Sequence, residues 1–178
     1  MPLVTPESKK TVDATVFIPT FNGEKYLDRL LHAVESQDFA GNFEILIIDS
    51  GSSDATLDII GTHPAVRLVE IPGSEFGHGK TRNLAAKLAR GTNIAYLSHD
   101  AIPADPNWLT NLTAPLDPQG LNCVGVVGKH IARANCSPLL KYEIDGVFKA
   151  CGPESETTVI DGALSKTHEL SPGELFYS

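Results

Sequence analysis

Four charged side chains stand where apolar segments of the chain give way to polar turns. Asp49 follows the run "EILII", Asp100 follows "IAYLSH", and Lys80 and Arg82 open a segment with a helical pattern. A carboxylate accepts hydrogen bonds or ligates a hard divalent cation, whereas lysine and arginine bind anionic oxygens. This set of side chains suits a ligand that carries phosphates and a bound cation, such as a nucleoside diphosphate.

The segment that contains Lys80 and Arg82 is similar to a phosphate-binding P-loop. Residues 71–83 read "IPGSEFGHGKTRN", and a P-loop requires the pattern G-x-x-x-x-G-K-[ST]. Counting back from Gly79, the first glycine of that pattern falls on Ser74, while Gly73 leaves five intervening residues. The spacing therefore misses by one residue, and the segment is interpreted as a different kind of ligand-binding loop.

Strand and helix patterns alternate along most of the chain. Short apolar, β-branched runs predict strands at residues 15–20, 43–49, 66–72, 92–100 and 122–132. Amphipathic spacing predicts helices at residues 22–37, 53–63, 80–91, 105–116 and 137–150. The order predicts an α/β fold with an open, mostly parallel sheet and helices on both faces.

Ligands of such sheets collect outside the carboxyl ends of the strands. The segments that follow the predicted strands are residues 19–24, 49–56, 73–83 and 98–105. Since the charged residues described above lie in the last three of these segments, we expect them to share one edge of the sheet.

The helix ends are predicted from capping residues. Asn22 is the expected N-cap of the first helix, Ser53 or Asp54 that of the second, and Asp105 that of the fourth. Gly91 is expected to close the third helix. Asp105 has a second interpretation, as an additional metal carboxylate, but its place before a proline favours the cap.

The composition narrows the classes of partner. A formal net charge of -8 and a pI near 5.1 argue against a nucleic-acid partner, because sequence-independent binding to phosphates needs an excess of Lys and Arg. The three cysteines, Cys123, Cys136 and Cys151, are widely spaced. They predict reduced thiols rather than a disulfide framework or a zinc site.

The ends of the chain differ from its middle. Residues 1–12 are predicted to be a flexible leader, residues 13–150 the ligand-binding domain, and residues 151–178 the start of a further part. The chain ends on "LFYS", which is mostly apolar, so it is expected to be a fragment that shows either self-association or a mobile tail. The sequence has no apolar run long enough for a bilayer and no signal peptide, which predicts a cytoplasmic protein.

Four segments in order resemble the GT-A glycosyltransferases of the large inverting family 2. They are "FIPTFNGEKYLDRLLHAVESQ", "EILIIDSGSSDAT", "TRNLAAKLARG" and "IAYLSHDAIPADPNWL". More narrowly, "EFGHGKTRN", "DAIPAD" and "VVGKHIAR" are similar to the rhamnosyltransferase branch. The resemblance covers roughly residues 13 to 150 and implies a Rossmann-like domain that binds a nucleotide-diphosphate sugar.

The resemblance also implies a set of donor-binding residues. These are Pro19, Thr20, Asn22, Asp49, Gly51, Lys80, Arg82, His99 and Asp100. Asp49 would accept a hydrogen bond from N3–H of uracil or thymine, or else it only caps its turn. Asp100 would ligate Mg²⁺ or Mn²⁺, which bridges the two phosphates. Lys80 and His78 are interpreted either as donor-site residues or as ordinary residues of a solvated loop.

The chain departs from the family's D-x-D pattern, because its residues there are His99, Asp100 and Ala101. With one carboxylate left, three explanations stay open: a single ligand suffices, His99 contributes, or metal dependence is weak. Imidazole suits zinc better than a hard ion. His99 is therefore expected to pack or to contact the donor.

The implied reaction is inverting transfer of a sugar, rhamnose being one option, from a UDP- or dTDP-sugar to a saccharide or lipid-linked acceptor in cell-surface polysaccharide synthesis. The resemblance places the catalytic base in a later acidic motif, beyond Ser178, and implies peripheral membrane association of the full-length protein at the inner membrane face. Two alternatives stay open. One is a nucleotide-sugar-binding fragment without catalysis, and the other is a P-loop-like nucleotide hydrolase.

Overall fold

The structure is a computed structural model that describes residues 11–120 and 123–149. The chain divides into two compact units, the first ending at Thr113 and the second beginning at Ala114. This boundary falls inside the range 13–150, which was predicted to be one domain. The limits of that domain are still a prediction. All the residues of the candidate site lie in the first unit.

The first unit is built on a four-stranded sheet with the strand order β3-β2-β1-β4. The strands are β1 (Val12–Thr20), β2 (Phe43–Asp49), β3 (Val66–Glu70) and β4 (Gly91–Tyr96). Every pairing is parallel, with Thr20 opposite Asp49 and Phe17 opposite Tyr96. The parallel α/β fold predicted from the alternating pattern is confirmed.

Helices cover both faces of this sheet. They are α1 (Leu27–Glu35), α2 (Thr56–Gly61), α3 (His78–Leu88) and α4 (Trp108–Thr113), and a short 3₁₀ helix, Gly73–Glu75, precedes α3. Alternate side chains of β1 and β2 pack on α1, α2 and α4, while the intervening ones pack on α3. Burial on both faces explains why these strands are continuously apolar.

Glu44 joins four segments at the amino ends of the strands. Its carboxylate accepts hydrogen bonds from Thr15 Oγ1 (2.8 Å), the Arg90 backbone N (2.6 Å), and Arg67 Nε (3.0 Å) and Nη2 (3.1 Å). Burial by itself would raise the pKa of Glu44, but the hydrogen bonds from Arg90, Thr15 and Arg67 outweigh it and hold that pKa below the ordinary 4.5. The charged carboxylate therefore stabilises the fold.

We expect Glu44→Gln to lower the free energy of unfolding by about 1 kcal/mol at pH 7, because the amide cannot serve all of these donors. A depressed folded-state pKa gives stability that is present above the unfolded value and lost as pH falls through the folded value. The difference between wild type and variant should therefore begin to shrink near the ordinary pKa of 4.5 and close as pH falls through the lower folded-state value. Urea unfolding at several pH values measures it, and a constant difference from pH 7 to pH 3 would contradict the role of the charge.

Two predictions about individual elements are wrong. Gly91 does not close α3, which ends at Leu88, but begins β4. A Cβ on Gly91 would lie 2.3 Å from the backbone of Ala14 and Thr15, so the glycine allows β4 to approach β1 closely. Asn22 does not cap α1, which begins at Leu27 after Tyr26.

The predicted fifth strand is also wrong for the residues that the structure describes. Residues 123–132 contain no strand, and Val124 and Val127 are exposed. Gly125 and Gly128 interrupt the run of valines and weaken it as a strand. Within the second unit, α5 (Pro138–Lys149) confirms the predicted helix. Residues 121, 122 and 150 lie outside the described residues, as do residues 1–10 of the predicted leader and the predicted part 151–178; Val12, the last residue of that leader, begins β1.

Candidate functional site

An open cleft of about 290 Å³ lies at the carboxyl ends of β1, β2 and β4, beside the first turns of α3. Its lining is Phe17, Pro19, Thr20, Phe21, Ser50, Phe76, His78, Arg82, Tyr96, Leu97, Ser98 and His99. The edge of the sheet predicted to bind a ligand is therefore concave.

The structure brings some of the predicted donor-binding residues to this cleft and leaves others beside it. Pro19, Thr20, Arg82 and His99 line the cleft. Asn22 and Gly51 lie in the adjoining turns after β1 and β2, and Asp49 is the last residue of β2. Lys80 and Asp100 are exposed without being part of the lining. Their functional roles stay predictions, since position alone does not assign them.

Asp49 is fully buried at the end of β2. Its Oδ1 accepts from Thr20 Oγ1 (2.8 Å) and Ser52 Oγ (2.5 Å), and its Oδ2 accepts from the backbone N of Gly51 (3.0 Å) and Ser52 (2.9 Å). A carboxylate offers about four acceptor positions, and protein donors occupy that number here. Asp49 thus fixes the turn after β2 against the end of β1.

The turn after β1 is fixed to the same segment. The Asn22 backbone N donates to Ser52 Oγ (2.9 Å), and the Ser53 backbone N donates to Asn22 Oδ1 (2.9 Å). Asn22 has a φ of 48° and Gly51 a φ of 90°, and these left-handed conformations favour Asn and Gly. Asn22 therefore joins two strand-end turns, which sequence reasoning misread as helix capping.

A second acid, Asp54, organises the start of α2. Its Oδ1 accepts from Thr56 N (3.0 Å) and Thr56 Oγ1 (2.5 Å), and its Oδ2 accepts from Glu24 N (3.1 Å). Desolvation by itself would raise the pKa of Asp54, but the hydrogen bonds from Thr56 and Glu24 hold that pKa below its ordinary value. The prediction that Ser53 or Asp54 is the N-cap of this helix is wrong, because α2 begins at Thr56 after Ala55; Asp54 instead binds Thr56 from the turn before the helix.

His99 and Asp100 follow β4. The imidazole of His99 lines the cleft and packs over Gly23, where an added Cβ would lie 3.2 Å from His99 Cδ2. Asp100 is exposed, and its Oδ1 accepts a hydrogen bond of 2.5 Å from Ser98 Oγ. Asp105 accepts a hydrogen bond of 2.8 Å from the Asn107 backbone N in the turn before α4, and since that helix begins at Trp108, Asp105 is not its N-cap as predicted.

The residues near Asp100 fit a divalent cation that is held partly by Asp100 and partly by the phosphates of a bound substrate. Asp100 belongs to no group of three His, Cys, Asp or Glu side chains with converging ligand atoms in the described ranges. Magnesium is commonly bound through one or two carboxylates together with substrate phosphates, so a single carboxylate is compatible with Mg²⁺ or Mn²⁺ there. The group that does converge consists of Asp28, His32 and His63, on other elements.

An aromatic rim that was not predicted from the sequence lines the cleft. Phe21, Phe76 and Tyr96 are exposed by 53%, 40% and 45%, and all three line it. The signal was present, since each ring lies at a strand end or in the glycine-rich loop. Exposed large rings are costly in water and suit a planar base or the apolar face of a sugar.

Residues 15–150 match Glycosyl transferase family 2. The chain is 32% identical over 127 residues to the O-antigen chain rhamnosyltransferase RfbN of Salmonella typhimurium, covering 70% of this chain and 39% of that protein. It is 33% identical over 90 residues to the poly(ribitol-phosphate) beta-N-acetylglucosaminyltransferase TarS of Staphylococcus aureus, covering 48% of this chain and 16% of that protein.

Two solved structures share the fold. TarS 1-349 in complex with UDP-GlcNAc superposes with a TM-score of 0.54 at 27% identity, over 68% of this chain and 38% of that one. The mannosyltransferase PcManGT of Pyrobaculum calidifontis, in complex with GDP-Man and Mn²⁺, superposes with a TM-score of 0.53 at 28% identity, over 65% and 35%. The chain thus spans about two fifths of these relatives or less. By its sequence and its fold, the chain belongs to glycosyl transferase family 2.

Proposed function

We propose that this chain is the donor-binding part of an inverting glycosyltransferase that uses a UDP- or dTDP-sugar in polysaccharide synthesis. The observation that carries this is the cleft at the carboxyl ends of β1, β2 and β4, with Arg82 in its lining, Asp49 at the end of β2 and Asp100 in the turn after β4. The names of relatives support it, since RfbN is called a rhamnosyltransferase and TarS was solved with UDP-GlcNAc.

The diphosphate of the donor would lie against the first turns of α3. This helix runs for 11 residues from His78, and its N-terminus carries partial positive charge and unpaired N–H groups. Arg82 lies in its second turn and lines the cleft, where a planar guanidinium suits a phosphate or a base carbonyl. Lys80 is exposed outside the lining, so we assign it a weaker, solvated contact.

The base of the nucleotide would lie between the aromatic rim and the end of β2. Phe21, Phe76 and Tyr96 offer ring faces, against which a base stacks whatever its identity. Selectivity for the base would then come from Asp49, which favours uracil or thymine over cytosine because their N3–H, which cytosine lacks, donates to a carboxylate. Since Asp49 already accepts from four protein donors, reading the base requires a hydroxyl of Thr20 or Ser52 to turn away.

Asp100 would hold a Mg²⁺ or Mn²⁺ ion together with the donor's phosphates. When bound there, the ion stabilises the negative charge of the leaving nucleoside diphosphate. The Ser98 hydroxyl orients the carboxylate through its 2.5 Å hydrogen bond. His99, packed over Gly23, closes one side of the cleft and contacts the donor rather than the ion.

Transfer also requires a carboxylate base that deprotonates the acceptor hydroxyl. We assign no described residue to that role and keep the prediction that the base follows Ser178. The donor half is accordingly testable as a binding site alone. The rhamnosyl donor and the saccharide or lipid-linked acceptor belong to the same proposal.

None of the helices in the described ranges has the length and apolar character to cross a bilayer.

Calorimetric titration of the 178-residue chain tests the proposed function. We expect UDP and dTDP to bind more tightly than GDP, and ATP to bind least, in the presence of Mg²⁺ or Mn²⁺. Tighter binding of ATP accompanied by its hydrolysis would instead identify a nucleotide hydrolase. Equal or undetectable binding of all four nucleotides would contradict the donor site.

A further inference from the structure

Four titratable side chains meet on one side of the first unit, away from the cleft. This His63 cluster consists of Asp28, His32 and Glu35 from α1, and His63 from the segment between α2 and β3. Suitable ligand atoms of Asp28, His32 and His63 all lie within 4.8 Å of one another. None of the cluster's residues lines the cleft.

His63 is held in a defined orientation. It is 4% exposed, and its Nδ1 lies 3.0 Å and 3.1 Å from the two carboxylate oxygens of Glu35. Because a carboxylate only accepts hydrogen bonds, this contact uses Nδ1 as the donor, so Nε2 is the ring nitrogen that could bind a metal. A histidine that ligates a metal commonly donates its other ring N–H to a carboxylate, which fixes the ring and raises its basicity.

The other nitrogen of His63 has no hydrogen-bond partner. Nε2 is buried, and it is the unsatisfied side-chain polar atom found in the described part of the chain. It points toward Asp28, whose Oδ1 lies 3.5 Å away without a hydrogen bond between them. Buried polar groups nearly always have a hydrogen-bond partner, so this nitrogen is open to a further ligand beside Asp28.

The spacing of the potential ligand atoms suits a tetrahedral ion. Asp28 Oδ1 lies 3.5 Å from His63 Nε2 and 3.7 Å from His32 Nε2. Two donors about 2.1 Å from a tetrahedral ion are about 3.4 Å apart. Small rotations of the exposed Asp28 and His32 side chains would bring both atoms to bonding distance of a common point.

We propose that Asp28, His32 and His63 bind a transition-metal ion of the zinc class, with Glu35 as the residue that positions His63. Two imidazoles and one carboxylate favour Zn²⁺ or Co²⁺ over the hard Mg²⁺ ion. The ion joins α1 to the segment that leads into β3. Because Asp28 and His32 are exposed, the remaining coordination position opens to solvent.

Titration of the metal-free 178-residue chain with Co²⁺ tests this site. We expect visible absorption bands of four- or five-coordinate Co²⁺, loss of these bands when Zn²⁺ is added, and a higher unfolding midpoint with either ion. His32→Ala and Asp28→Asn should each lower the affinity by at least about tenfold, and Glu35→Gln by about 10- to 100-fold. Both ligand variants change exposed side chains, so the fold should persist.

Matched controls separate this site from other histidines and acids. His130→Ala and Asp58→Asn alter exposed residues outside the cluster, and each should keep the wild-type Co²⁺ spectrum. A wild-type chain that binds neither Co²⁺ nor Zn²⁺ at micromolar concentration would overturn the proposal. So would His32→Ala and Asp28→Asn variants with unchanged spectra and affinity. Nucleotide binding at the cleft can succeed or fail independently of these results.

Discussion

Asp49→Asn should weaken binding of UDP and dTDP by about one to two orders of magnitude, because loss of a charge-assisted hydrogen bond costs roughly 1.5–3 kcal/mol. Asp49 is buried and accepts four hydrogen bonds. In asparagine an NH₂ group replaces one carboxylate oxygen, and this group cannot accept the hydrogen bonds that Thr20, Gly51 and Ser52 donate to Asp49. The measurement is calorimetric affinity under conditions where urea unfolding shows the variant to be folded.

Comparison of several nucleotides separates the two roles proposed for Asp49. If its carboxylate reads the base, Asp49→Asn weakens UDP and dTDP while the affinities for GDP and CDP change little. If Asp49 only holds the turns, all four affinities fall together. Asp58→Asn, on the exposed surface of α2, is the matched control. Equal wild-type affinity for all four nucleoside diphosphates would refute base selection by Asp49.

Asp100→Ala should abolish the gain in donor affinity that Mg²⁺ or Mn²⁺ provides. Asp100 is exposed on a turn after β4, so its removal should change the free energy of unfolding by no more than about 0.5 kcal/mol. Binding of UDP by the variant in the presence of metal should match binding by either protein without metal. Titration with and without the ion measures the difference.

The control for Asp100 is Ser98→Ala, which removes the hydroxyl bonded to Asp100 and keeps the carboxylate. It should retain most of the metal dependence. The role assigned to Asp100 is wrong if unfolding midpoints agree and the affinity of Asp100→Ala for UDP equals that of wild type both with and without metal. Loss of binding together with loss of the fold would also contradict the assignment, because it would make Asp100 a structural residue.

The elements that could be predicted from sequence are those in which local pattern and burial agree. β2 is continuously apolar from Ile45 to Ile48 because both faces of the sheet are covered. The leucines of α1 have helical spacing because one side of the helix is buried. In these segments the pattern of apolar residues reflects which faces are buried in the fold. The parallel α/β fold then follows from the order of the segments.

Features that depend on contacts between distant segments could not be predicted. A glycine is typical of a helix end, but position 91 requires glycine for another reason. A Cβ there would lie 2.3 Å from the backbone of β1. Asn22 is typical of an N-cap, yet it binds the turn containing Ser52 and Ser53, 30 residues on. Neither partner is visible in local sequence.

Only part of the candidate site could be predicted, because some of its residues follow from the order of the strands and others depend on contacts between distant segments. Parallel strands bring Thr20 and Asp49 to one edge of the sheet, as their pairing confirms. The aromatic rim was missed because single exposed rings have no periodic pattern. The His63 cluster was missed as well, although Asp28 and His32 are four residues apart on one helix, because its decisive member comes from beyond α2.

The most direct measurement is the paramagnetic broadening of backbone amide NMR signals by Mn²⁺ in the presence of UDP. If the cleft binds the donor with the ion at Asp100, signals of Ser98, Asp100 and Ala101 should broaden first, together with those of Gly51 and Ser52. UDP should strengthen this broadening, and Asp100→Ala should remove it. Broadening that is independent of UDP, or that is confined to α1 and His63, would contradict a donor site in the cleft.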